Sequence, residues 1–142
     1  MILHELGEAR AGDLLGDRWR DMVVAVAQTR SEAIARAVRD LLADCLSTLP
    51  ELLARANLPA LHFYFATFDG TRRQIFPQAL EAYEHFLRSG SQDRLWQLAG
   101  DGKERWLATA RALLALDPAA RDTALGALLE GAPVRVGADL VG

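Results

Sequence analysis

Apolar residues recur along this chain with the period of a helix, and prolines and glycines such as Pro50, Pro59, Gly70, Pro77, Gly90 and Pro118 interrupt the recurrence. Between Arg30 and Ser47, the side chains of Ile34, Val38, Leu41, Leu42 and Cys45 fall on one face. Glu32, Arg36 and Asp40 follow at four-residue steps on another side, the pattern of a solvated ion-pair face contributing only about 0.2–0.5 kcal/mol per pair. Trp106, Leu107, Ala110, Leu113 and Leu114 draw a second stripe, and Trp19, Met22, Val23 and Val26 a third. A strand needs period two instead. Strand-favouring residues gather only in short runs, VVAV at 23–26 and PVRV at 133–136, whereas Ala and Leu, both strong helix formers, dominate. The expectation is an all-α fold. It is a single compact globular bundle of about six to eight helices over residues 1–130, with a C-terminal helical hairpin and a short extended tail at 131–142.

Punctuation places the elements. A first helix is expected over 3–14 and a second over 17–28. Thr29-Arg-Ser-Glu32 reads as a capping box that starts a helix over 30–47. Pro50 and Pro59 each suit the first turn of a helix, which gives 50–56 and 59–68. The second of these could also be a strand; Pro59 at its start and Gly70 after its end favour helix. Asp69–Arg73 reads as a turn. Further helices are expected over 77–88, closed by Gly90, and over 92–99. Asp101–Glu104, a second capping box, starts 101–116, and Asp117-Pro118 opens a last helix over 118–130. The run ALLALDPAARDTALG, residues 112–126, resembles the junction between tetratricopeptide repeats. No 34-residue period recurs elsewhere, so it is read as a helical hairpin.

Composition excludes several function classes. The net charge of −3 supplies no basic field for nucleic acid or an anionic membrane, so neither is an expected partner. Arginine replaces lysine almost entirely, Lys103 being the only lysine, which together with the alanine content points to a GC-rich bacterial genome. Cys45 is alone and lies in an apolar stripe, where it packs as a small hydrophobe. The N-terminal MILHELGEAR is not a signal peptide, and no run reaches the ~20 apolar residues of a membrane span, so the cytoplasm is the expected compartment.

Few residues suggest chemistry. His4 with Glu8, and His85 with Glu81 and Glu84, share helix faces, but no Glu-x-x-His, His-x-x-x-His or cysteine pair is present, and no metal or other cofactor is expected. His62 and Tyr64 could line a small-ligand pocket as acid and base. No phosphate loop, nucleophile elbow or dinucleotide fingerprint occurs.

The stretch HFYFATFDGTRRQIFP, residues 62–77, is the most informative. It holds five of the chain's aromatic residues beside two adjacent arginines. Leu61, Phe65 and Phe68 are expected in the core, with 59–68 as the element covered on every side. Phe63, Tyr64, Arg72, Arg73 and Phe76 are the candidate partner-binding residues, because aromatic residues and arginine anchor protein interfaces. The expected function is a non-enzymatic protein-binding module of adaptor, chaperone, inhibitor or immunity type, its partner another protein or a second copy of itself. The alternatives are a small-ligand protein or enzyme around His62 and Tyr64, and an oligonucleotide-binding regulator using Arg72 and Arg73.

Overall fold

The computed structural model describes residues 2–25 and 30–135. Within them helices follow one another through short connections: α1 (Ile2–Leu15), α2 (Asp17–Ala25), α3 (Arg30–Ala43), a π-helical turn (Asp44–Thr48), α4 (Leu49–Ala54), α5 (Leu58–Ala66), α6 (Gly70–Ile75), α7 (Gln78–Ser89), α8 (Asp93–Ala115) and α9 (Pro118–Leu128). The fold is all-α and compact. Val26–Thr29, including the first residue of the expected capping box, and tail residues 136–142 lie outside the described residues, as do the side chains of His4 and Val23.

The molecule is organised around one rod. α3, the π turn and α4 run without a break from Arg30 to Ala54. Pro50 lies in the first turn of α4, as expected, but α4 continues the rod with no loop before it. Proline lacks an N–H and its ring presses on the carbonyl four residues back, which disrupts an ordinary helix. The turn just before it widens instead, and the Leu49 N–H reaches back five residues to the Asp44 carbonyl. From Leu41 to Leu49 every side chain except Leu46 is buried. This segment, and not 59–68, is the element covered on all sides; α5 leaves His62, Phe63, Ala66 and Thr67 exposed.

Two glycines let neighbouring helices close on the rod. A Cβ at Gly7 of α1 would stand 2.5 Å from the Ala43 carbonyl oxygen, and one at Gly102 of α8 would stand 2.5 Å from Cys45 Sγ. α6 and α9 also pack on α3, and α7 packs on α8. α8 is a single helix: Gly100 and Gly102 lie in its interior, so the expected break near residue 100 and the capping box at Asp101 do not occur. Side chains close its C-terminal end. Arg121 of α9 donates to the carbonyls of Leu113, Leu114 and Leu116, and Arg18 of α2 to that of Leu114. The last carbonyls of a helix lack the usual partner four residues on, and of these three only that of Leu113 takes a backbone bond among the described residues, from the Leu116 N–H at 3.3 Å. α8 and α9 are joined by Leu116 and Asp117 alone, and Asp117 caps α9 by accepting from the Ala120 N–H at 2.8 Å. The expected turn at Asp69–Arg73 is in fact the start of α6, with Gly70 at φ 58° as its first residue.

Candidate functional site

α5 is the most apolar helix of the chain, and it sorts its aromatic residues by face. Asn57 caps it through a 3.2 Å bond from the Ala60 N–H. Leu61, Tyr64 and Phe65 then point inward, and Phe68 just beyond the helix is buried with them. Phe65 stacks on Tyr83 of α7 at 4.3 Å between ring centroids, and Tyr64 meets Phe65 edge-on at 4.9 Å. Phe63 lies on the opposite side and is 62% exposed, more than any other large apolar side chain described.

At the heart of this region is a buried carboxylate. Asp44, in the π turn, is fully buried and accepts from the Tyr64 hydroxyl at 2.8 Å and from Arg72 Nη1 at 2.9 Å. Arg72 also donates to the Thr67 carbonyl at 3.2 Å, and its guanidinium lies 5.2 Å from the centre of the Phe68 ring. A charge this deep is tolerated only when it is paired and hydrogen-bonded. The group therefore clasps three elements together: the rod through Asp44, α5 through Tyr64 and α6 through Arg72. Burial first, then the Asp44 charge and the hydrogen bond to it, hold the Tyr64 phenol well above its ordinary range, against a smaller opposing effect of Arg72. Burial and Asp44 likewise push the Cys45 thiol far up, so it stays protonated and unreactive.

These positions correct the candidate list. Tyr64 and Phe76 are 4% exposed and belong to the core, Phe76 packing edge-on against Trp106 at 5.4 Å. Arg72 is not an exposed turn residue; its charge is committed to Asp44. Phe63 and Arg73 remain on the surface. His62 and Tyr64 do not share a pocket, because the His62 ring is exposed and bonds through Nδ1 to the Tyr83 hydroxyl at 2.7 Å while Tyr64 turns inward to Asp44. Glu81 and Glu84 are exposed on α7, where they line an open groove of about 530 Å³ with Arg73, Gln74, Pro77 and Leu80.

Residues 1–131 match the model of the C-terminal domain of a family of unknown function, DUF6866. The chain belongs to that family. The match takes in every described helix, from α1 to α9, and with them the rod and the clasp. No curated protein and no solved structure matches the chain. Among the described residues of this DUF6866 domain, no group of three histidine, cysteine, aspartate or glutamate side chains is arranged to hold a metal ion, and no helix is long and apolar enough to cross a membrane.

Sequence reasoning missed the clasp. Asp44 was hidden in a stretch that reads as amphipathic, and its partners lie 20 and 28 residues away. The available signal was Pro50 inside an otherwise unbroken helical pattern, which marks a distorted turn just upstream.

Proposed function

We propose that this domain is a protein-binding module rather than an enzyme, and that its contact surface is the outer side of α5, α6 and α7. The observation that carries the reading is Phe63, a large ring left in water on a helix whose other aromatic residues are buried. Leu58 on the same helix and Leu87 on α7 are 41% and 55% exposed. Arg73 of α6 and Glu81 and Glu84 of α7 line one groove, with Pro77 and Leu80 as its apolar lining. Rings and arginine supply most of the energy at protein interfaces. A groove carrying both signs of charge suits a polypeptide segment with an apolar anchor and charged flanks, and fits neither a nucleic acid nor a single small anion. The polar groups deepest in this region, Asp44, Tyr64 and Arg72, are bonded to one another and hold the scaffold.

The test places a photo-crosslinking benzoyl analogue of phenylalanine at position 63 in cells of the native host, with the same analogue at Arg111, an exposed position of α8, as control. A discrete protein adduct at 63 and none at 111 is expected. Equal labelling at both positions, or none at 63, overturns the reading.

A further inference from the structure

Arg105, in the middle of α8, is a second half-buried guanidinium, and it differs from Arg72 in having no carboxylate within ion-pair distance among the described residues. Its guanidinium carbon lies 4.4 Å from the centre of the buried Trp106 ring and 5.6 Å from that of Phe76. These two faces fix the plane of the group and let it sit in a poorly hydrated place. Its hydrogen bonds are long: 3.5 Å from Nη1 to Gln78 Oε1 and 3.5 Å from Nη2 to the Ile75 carbonyl. Both are at the limit of what counts as a bond. Five N–H donors in a rigid fork are thus left with two weak acceptors.

The same side chain lines a half-open pocket of about 480 Å³. Gln78 and Thr109 stand beside it, and Leu128, Pro133 and Val134 form an apolar wall. The size falls in the range of small-molecule sites, and an apolar wall with a few convergent polar groups is their usual make-up. Thr109 is already engaged with the Arg105 carbonyl at 2.8 Å, so it shapes the wall and leaves the guanidinium as the principal donor.

We propose that this pocket binds a small organic monocarboxylate, its two oxygens taken by the Arg105 fork and its apolar body laid on Leu128, Pro133 and Val134. The planar fork matches a carboxylate in bidentate fashion. The ligand would supply a counter-charge that no described residue gives Arg105. Burial of the guanidinium, which weakens its hold on its proton, is the cost that such a ligand would offset. The site lies on α8, α9 and the segment after α9, with Gln78 at the start of α7 on its edge, and it shares no residue with Phe63 or with the groove of Arg73, Glu81 and Glu84.

The probe is benzoate, with benzamide as its neutral isostere and inorganic phosphate as an anion without an apolar body, titrated into the full chain by calorimetry and followed by thermal shift. Benzoate is expected to bind saturably and raise Tm, and benzamide and phosphate at least about tenfold more weakly, the loss of charge-assisted bonds or of apolar contact. Arg105→Met keeps the stem and its contact with Trp106, and should weaken benzoate about tenfold or more. Ala108→Trp, from an exposed position that lines the pocket, fills the space without touching the charge and should abolish binding even if the first variant folds poorly. Absence of saturable benzoate binding, equal binding of benzamide, or retention of binding in Ala108→Trp overturns the proposal.

Discussion

Replacing Arg72 with alanine takes the cation from the Asp44 clasp and is the most direct test of how the domain holds together. The Asp44 side chain is 1% exposed and that of Arg72 22%, with 2.9 Å between Oδ2 and Nη1. Removing one member of a fully buried ion pair costs about 3–5 kcal/mol, because the other charge stays behind in a poor solvent. The surroundings pull in opposite directions here. Water reaches part of the guanidinium, which lowers the cost, and the Tyr64 hydroxyl stays on Asp44. The Phe68 ring and the Thr67 carbonyl lose their contacts with the cation, which raises it. A loss of about 2–4 kcal/mol follows. For a chain of 142 residues the unfolding entropy is about 0.3 kcal/mol per kelvin, so Tm should fall by about 7–13 °C. Denaturant unfolding and calorimetry of Arg72→Ala, Asp44→Asn and the double variant read both the cost and the coupling, expected at about 1–3 kcal/mol for groups in direct contact. Arg73→Ala, at an exposed neighbouring position, should stay within about 0.5 kcal/mol of the parent. If Arg72→Ala and Arg73→Ala unfold alike, or the double variant shows no coupling, the clasp does not stabilise the fold.

Phe65→Ala should cost about 3–5 kcal/mol in chemical denaturation because the ring is 4% exposed and stacked on Tyr83, whereas Phe63→Ala should leave stability nearly unchanged; equal costs would refute the sorting of rings on α5. Gly102→Ala drives a methyl to 2.5 Å from Cys45 Sγ and 3.2 Å from Phe76, so a loss of about 1–3 kcal/mol is expected, partly relieved in combination with Cys45→Ala; a neutral Gly102→Ala would show that α8 stands off the rod. Cys45 and Tyr64 both hold their protons more tightly in the folded chain than in the unfolded one, so their contribution is complete below the unfolded values, about 8.5 and 10, and is lost as pH rises beyond them. Urea midpoints should therefore fall above about pH 9, with the earlier part of the fall absent in Cys45→Ala; a flat profile to pH 11 would refute the burial of both groups.

The helical class was legible because the stripe Ile34, Val38, Leu41, Leu42 repeats with helical spacing, and all four residues are buried in the structure. A cap was legible where a side chain acts on its own helix, as at Asp117. Breaks were misread wherever a long-range contact decides. Gly102 weakens a helix taken alone, yet here it is kept for the approach of Cys45, and α8 runs through it. Pro50 usually marks a boundary, but a π turn absorbs it once α1 and α8 enclose the rod. The aromatic stretch was legible only as a mixture. Helical geometry separates Phe63 from Tyr64 and Phe65, but which residues face inward depends on where Asp44 lies, and no local pattern contains that.

The two halves of the candidate surface are tied to the core by their immediate neighbours in the chain. Phe63 precedes Tyr64, and Arg73 follows Arg72; Tyr64 and Arg72 meet on the same Asp44 oxygen. Asp44 in turn is held by a turn that owes its shape to Pro50 and its close packing to the absence of a side chain at Gly102. The backbone beneath each exposed residue is therefore fixed by a bond to the rod, although neither Phe63 nor Arg73 makes such a bond itself. A surface ordered before it meets its partner loses less entropy on binding. Breaking the clasp should free α5 and α6 from one another before it unfolds the domain, since the rod keeps its contacts with α1, α8 and α9. Arg72→Ala is then expected to lower the crosslinking yield from position 63 at temperatures where the domain is still folded. An undiminished yield would mean that the surface around Phe63 keeps its shape without the clasp.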